Sequence, residues 1–360
     1  MEVLAEPRAV TGSDGNRHLV YELMLTNATD KTTYYVTEVT ALEGGTGQPV
    51  ALLDPVQLLV DPPPAPRRNI LHPGELGFLF VHVAVPAQAA VPGTLRHRVV
   101  INPTSINAPL TIAGGETAVV QAPPVVLGPP LRGAGYIAGD GCCDPPRHVQ
   151  AVMPDGKGGW WNAQRFAIDW EQLDGEQRLW VAQRGRENAP RVEDYIIYGQ
   201  DLLAVADGTV VGLADKVLPD QPPGRMPSDL PREEADGNHV ILDLGNGVYI
   251  LYAHLAPNSV AVTLNQRVSK GQVIGRVGNS GNTSAPHLHL QAMDRPSSLD
   301  ANGLPYVFER FRIVGFDPAG SDDFQDAEEK GTPVTVAPVW PPSEHVRQLP
   351  LNVVVVDWMN

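Results

Sequence analysis

Glycine and proline interrupt this chain too often for long regular helices. There are 35 of each among 360 residues, about a fifth of the chain against roughly an eighth in ordinary proteins. Between the breaks lie short runs of Val, Leu and Ile, and 42% of residues are hydrophobic. That is too apolar for a disordered polymer and too interrupted for a helix bundle or coiled coil. The pattern predicts a mainly β protein, and its length predicts two domains, each with its own core.

Charge narrows the partners. Lys and Arg number 26 against 41 Asp and Glu, a net charge of -15, which repels a phosphate backbone and anionic lipid alike. Nucleic acid is therefore not an expected partner. No apolar run reaches the roughly 18 residues of a transmembrane segment, and the start, Met1 to Pro7, lacks the basic and apolar regions of a signal peptide. The only cysteines, Cys142 and Cys143, are adjacent. Unlinked thiols, a vicinal disulfide and a metal role all remain open for them.

Residues 1–122 alternate strand-like stretches (Tyr21–Leu25, Tyr34–Leu42, Val50–Val60, Phe78–Val85, Leu95–Ile101) with breakers such as Asp61–Pro64 and His72–Gly74. They predict an immunoglobulin-like antiparallel sandwich. Its histidines, His18, His72, His82 and His97, show no ligand spacing and read as surface or packing residues. A Pro/Gly-rich linker is expected over 123–145. A second β domain follows over 146–320, then an extension over 321–360 whose Val353–Val356 run suggests a terminal strand. In the second domain Val149–Met153, Tyr195–Tyr198 and Leu202–Val211 read as strand-like, and Asn238–Leu244 with Val248–Leu255 as a hairpin. The connection holding Asp174, Glu187 and Asp194 reads as a solvated loop, and the aperiodic Ala214–Gly237 segment as a lid beside a groove.

The sharpest local signal is Ser284-Ala285-Pro286-His287-Leu288-His289-Leu290. Side chains alternate along a strand, so His287 and His289 share one face and the leucines enter the core. Two imidazoles on one surface can divide labour, one binding a metal and one moving protons. Upstream, Tyr252 and His254 of Tyr252-Ala253-His254-Leu255 are expected to share a face in the same way.

With Lys270-Gly271-Gln272-Val273-Ile274-Gly275 and Gly278-Asn279-Ser280-Gly281 lying between these motifs, the region from about Ala163 to Met293 resembles the lysostaphin/LytM-type zinc metallopeptidases. The resemblance implies a duplicated hybrid motif of antiparallel β structure. It implies His289 and Asp169 as zinc ligands, His254 and His287 as catalytic imidazoles, and Tyr252, Asn279 and Ser280 along the substrate groove. The family's remaining ligand is the His of a His-x-x-x-Asp motif, and here that position is Arg165. A guanidinium has no lone pair and repels a divalent cation.

Three outcomes follow from Arg165. Another group, with His148, His239 and the cysteine pair as candidates, completes a three-ligand site. Alternatively the domain binds no metal and serves as a catalytically silent module, or Arg165 pairs with Asp169 and fills the metal's place. The resemblance further implies peptidoglycan peptides as substrate, cleaved by metal-activated water, with an extracytoplasmic location. In the silent alternative, the partner is a cell-wall hydrolase or the cell-wall peptide itself.

Overall fold

The computed structural model describes residues 1–60, 68–143, 147–181, 190–215 and 218–359. The breaker Asp61–Pro64, Glu187 of the expected loop and residues 144–145 of the expected linker lie outside the described residues. The fold is mainly β, with one α-helix, Ser321–Lys330, among the described residues. The chain forms two compact units, Met1–Val10 with Gly15–Pro123, and Thr11–Asp14 with Pro124–Asn360.

In the first unit, Arg17–Thr26 pairs antiparallel with Leu76–Val85, and Tyr34–Glu43 with Thr94–Pro103, in two five-stranded sheets among the described residues. Alternation sends Leu19, Tyr21 and Leu23 from one sheet and Val39, Ala41, Val99 and Ile101 from the other into one shared core. Each such side chain contributes about 1.5–3 kcal/mol on burial. The expected single strand Val50–Val60 is broken. Pro55 cannot donate to a ladder, so a 3-10 turn, Pro55–Gln57, separates Pro49–Leu53 from Leu59–Val60, and Asp54 caps it by accepting from the Val56 amide at 3.0 Å. His18 and His97 are buried packing residues, hydrogen-bonded to His82 and Tyr21 at 2.8 Å each.

The second unit is built on a large sheet. Its central strands run in the order Tyr306–Phe316, Val354–Trp358, Tyr136–Gly139, Ile168–Gln172, Leu288–Met293, Val248–Leu255, Asn238–Gly245 and Gly208–Ala214. This corrects the expected linker. Val125–Leu127 pairs with Tyr306–Phe316, and Tyr136–Gly139 lies between Ile168–Gln172 and Val354–Trp358. The prolines and glycines from Pro123 to Gly135 sit between the strands, while Val125–Leu127 and Tyr136–Gly139 enter the ladder. Residues 321–360 are equally integral, because Val354–Trp358 joins two parts of the same sheet.

Two further strand expectations fail. Tyr195–Tyr198 is a turn with one isolated bridge from Tyr195 to Trp180, and His148 lies on a 3-10 turn, Arg147–Gln150, ahead of the two-residue strand Met153–Pro154. Cys142 and Cys143 are joined as a disulfide, which removes them as metal ligands.

Alternation along Ile168–Gln172 positions everything that follows. Trp170 points into an aromatic core, with ring centroids 5.0 Å from Trp358 and 5.9 Å from Phe308. Asp169 and Glu171 therefore leave the opposite face. The helix Ser321–Lys330 lies on that face. It buries Phe324 and Ala327 against Ile137, Tyr195, Ala285 and Val355, and carries Asp322 and Asp323 in its first turn and Lys330 in its last, which favours its dipole.

Candidate metal centre

Strand register brings the separated motifs together. Asp169 is opposite His289, and His289 is opposite Ala253 on its other side, so these three residues share a face. Tyr252 is opposite Leu290 and belongs to the other face. Simple alternation would send His254 there too. It does not, because His254 adopts a left-handed backbone with φ 64, which breaks the alternation at the strand's last turn. Its ring lies with centroids 4.8 Å from His287 and 5.8 Å from His289. A non-glycine residue held there costs about 1–3 kcal/mol and persists only when its surroundings impose it. The imposing contacts are visible: its amide donates to Asp236 and its Nδ1 to the Ser280 carbonyl at 2.8 Å.

Asp169 is the hub. His289 Nδ1 and His287 Nε2 lie 2.9 and 3.4 Å from its Oδ1, and His148 Nε2 lies 3.2 Å from its Oδ2. Ligand atoms of His148, Asp169 and His289 fall within 4.8 Å of one another, as do those of His254, His287 and His289. All four imidazoles are buried.

The outer nitrogens fix the tautomers. His148 Nδ1 faces the Asp140 carbonyl at 3.0 Å, His287 Nδ1 the Ala285 carbonyl at 2.8 Å and His254 Nδ1 that of Ser280. His289 Nε2 faces Oε1 of Gln291 at 2.8 Å, and the Gln291 amide is oriented by its own NH2 on the Met293 sulfur at 3.4 Å. Carbonyl oxygens only accept, so each outer nitrogen carries the proton. Neutral rings then aim lone pairs inward at a carboxylate. Acceptors 2.9–3.4 Å apart repel unless a cation lies among them.

Without a metal, protons fill that role. Burial opposes charge on His287, but the Asp169 charge and hydrogen bond outweigh it and lift its pKa to about 9. His148 is also raised, against the burial penalty, by Asp169. Asp169 is held well below the usual carboxylate range because three imidazoles overcome its own burial. His254 goes the other way, pushed well below 6.5 by burial and then by His287 and His289. Burial and neighbouring Glu328, Asp169 and Asp140 keep Glu171 well above the ordinary range.

The residue set fits a divalent cation. Two imidazole nitrogens and a carboxylate are the donors of an open zinc site, whose tetrahedral ligand atoms stand about 3.3 Å apart at bond lengths of about 2.0–2.1 Å. The spacings of His289 and His148 from Asp169, 2.9 and 3.2 Å, are close to that.

Other expectations change. Arg165 is buried, with Nη1 donating to the Gly303 carbonyl at 3.1 Å and Nη2 to Asn302 at 3.4 Å, while three imidazole nitrogens lie 2.9–3.4 Å from the Asp169 carboxylate. His239 stands on the Asn238–Gly245 strand, bonded to the Gly237 carbonyl, and belongs to neither cluster. Tyr252 does not line a groove: it is fully buried, and its hydroxyl accepts from the Val205 amide at 2.8 Å. Asn279 and Ser280 are fully buried scaffold. Ser280 Oγ donates to the Leu255 carbonyl and accepts from the Asn238 amide, while Asn279 accepts from Thr283 and donates to the Gln221 carbonyl.

Sequence reasoning missed Gln291, whose only signal was its place two residues beyond His289 on the same strand face. The described part of the 214–237 segment, whose residues 216–217 lie outside the description, is bonded along 279–284 through Asp220, Gln221 and Gly224. The Gly-x-Ser-Gly motif permits this closeness. A Cβ on Gly281, at φ 90, would lie 2.5 Å from the Ala235 carbonyl, and one on Gly278 2.2 Å from the Ala256 nitrogen.

A β sheet presenting histidines and a carboxylate in this way carries the donor set of a metal centre. Residues 194–301 match the sequence model of Peptidase family M23, and the chain carries an M23 domain of the lysostaphin/LytM type. The match includes His254, His287 and His289 and stops short of His148, Arg165 and Asp169. Over 65 residues the chain is 38% identical to the peptidoglycan DD-endopeptidase ShyA of Vibrio cholerae, covering 18% of this chain and 15% of that protein. Over 112 residues it is 39% identical to the DD-carboxypeptidase/endopeptidase Mpg of Neisseria meningitidis, covering 29% of this chain and 25% of that protein. The chain thus spans about a quarter or less of these relatives. Among solved structures, the catalytic domain of lysostaphin from Staphylococcus simulans aligns with a TM-score of 0.26 and 20% identity, covering 47% of this chain and 88% of that one.

Proposed function

We propose that this protein is a zinc-dependent endopeptidase acting on peptidoglycan peptides outside the cytoplasm. The observation that carries the reading is the convergence of three inward-facing imidazole lone pairs, those of His148, His287 and His289, on Asp169, with His254 beside the last two, a cluster that needs a cation to be stable. The M23 match and the endopeptidase names of the relatives support the peptide-bond chemistry.

Asp169, His289 and His148 are the ligands, with His148 standing where the family's first histidine is missing. A divalent cation held by them polarises a carbonyl and acidifies water. His287, beside Asp169 and with its Nδ1 proton fixed, takes a proton from the attacking water at Nε2. The proton taken by His287 Nε2 would pass to the leaving amine, and His254, kept neutral by burial with its own proton on Nδ1 toward Ser280, would present an Nε2 lone pair that orients the attacking water or the departing N–H. Burial of all four rings excludes bulk water and strengthens each interaction.

The silent-module reading draws on Arg165, which cannot ligate. His148 weighs against it, because a spare histidine need not be buried with its lone pair on the same carboxylate. Zinc content of the purified protein, with hydrolysis of cell-wall material by wild type and His287→Ala, tests the proposal. Stoichiometric zinc and activity lost in the variant are expected. A metal-free, inactive wild type after zinc loading leaves only the binding role, for cell-wall peptides or a partner hydrolase.

A further inference from the structure

Outside the four imidazoles, the strand that carries Asp169 also carries a buried acidic side chain, Glu171. The residue is 2% exposed, its Oε2 is buried with no hydrogen-bond partner, and no Lys or Arg among the described residues is ion-paired with it. It lies two residues beyond Asp169 on the same strand, so both carboxylates leave the same face. The helix Ser321–Lys330 brings Glu328 to that side. Its carboxylate accepts from Ser284 Oγ at 3.2 Å, and its carbonyl from the Tyr195 hydroxyl at 3.1 Å. Ser284 begins the turn that ends in His287, so Glu328 is anchored to the approach to that imidazole. Both carboxylates lie outside the 194–301 family match.

A buried carboxyl oxygen left without a hydrogen-bond partner in a native fold calls for a partner not yet counted, and a cation arriving there would supply the counter-charge the site lacks. Phe324, Ala285 and Tyr195 make the surroundings apolar, which suits a protonated amine on an alkyl stem better than a hydrated inorganic ion. An ammonium group offers three donors and no acceptor, the complement of a wall of carboxylate oxygens. The net charge of -15 draws cations from a distance.

We propose that Glu171, assisted by Glu328, is a specificity-determining subsite for a primary ammonium group on the peptide substrate, bound beside His287. This rests on the peptide-substrate reading above. The test uses the zinc-loaded full chain and two short lysyl peptides that differ only in acetylation of the side-chain amine, with binding followed by calorimetry and turnover by chromatography. Wild type is expected to bind the free amine about tenfold more tightly, and Glu171→Gln to remove that preference while leaving affinity for the acetylated peptide unchanged. Equal affinities in wild type, or a preference that survives Glu171→Gln, overturn the proposal. Should Glu171→Gln fail to fold, the half-buried Glu328→Gln takes its place: a reduced preference supports the subsite, an unchanged one overturns it. Preference without turnover counts against the peptidase reading alone, and turnover without preference against this subsite alone.

Discussion

His148 Nε2 lies 3.2 Å from Asp169 Oδ2 while its Nδ1 is committed to the Asp140 carbonyl, so the only lone pair His148 can offer points at the carboxylate. His148→Ala is expected to reduce zinc from stoichiometric to trace amounts, with affinity down by at least about 100-fold, since loss of a ligand exceeds the 10- to 100-fold cost of losing a supporting residue. Arg165→Ala should keep its zinc and lose about 1–2 kcal/mol of stability, because its guanidinium holds the Gly303 carbonyl and Asn302. Metal analysis and thermal melting of the two variants separate the roles. Equal zinc loss in both would return Arg165 to the site.

His287→Ala and His254→Ala should each retain zinc and lose activity by about 10²- to 10⁴-fold, the range of a general acid or base. The two differ in stability. Replacing His254 leaves the left-handed backbone at φ 64 strained and removes the Nδ1 bond to the Ser280 carbonyl that helps to hold it, so this variant should be the less stable. Zinc content alongside turnover is the measurement, and zinc loss in His254→Ala would make that residue a ligand instead.

The histidine pair was legible in the sequence because alternation along a strand is a local property, whereas Asp169 was legible only through the family resemblance, since nothing in its own surroundings marks it. The group proposed to replace the missing ligand was legible only as one of three candidates, His148, His239 and the Cys142–Cys143 pair. A 3-10 turn brings His148 to the site, and no periodicity marks such a turn in advance. Composition misled at residues 123–145, where glycine and proline mark bends between paired strands. Alternation misled at Tyr252, since it assumed an undistorted backbone through His254. Tyr252→Phe should therefore cost about 1–2 kcal/mol by orphaning the Val205 amide, and leave kcat/KM unchanged. A fall in kcat/KM at unchanged stability would restore Tyr252 to the groove.

The contribution of the imidazole cluster and Asp169 to the stability of the zinc-free protein should peak near pH 6.5. His287, raised to about 9, and His148, also raised, stabilise fully below 6.5 and lose that contribution as pH climbs through their folded values. His254, depressed below 6.5, contributes above 6.5 and loses it as pH falls toward its folded value. Asp169, depressed below 3.8, adds a further loss in strong acid. Zinc would take the place of the proton on His148 and offset the Asp169 charge that holds the proton on His287, so the alkaline decline should shrink in the loaded protein. Melting temperatures from pH 5 to about 10, with chelator and with zinc, would show it. A chelated protein as stable at pH 9 as at 6.5 contradicts the assignment.

Gln291 decides which nitrogen of His289 can bind metal. With Oε1 accepting from Nε2 at 2.8 Å, the Nδ1 lone pair is left for the centre, and the ring cannot rotate without breaking a fully buried bond. Gln291→Leu removes the acceptor, so the neutral ring can place its proton on Nδ1, toward the Asp169 carboxylate 2.9 Å away, and zinc must then displace it. An affinity loss of about 10- to 100-fold is expected. Gln291→Glu keeps an acceptor at the same place and should retain tighter binding than the leucine variant. Competition with a chelator of known affinity measures both, and the comparison is informative because a packing defect alone would weaken the two variants without regard to the acceptor.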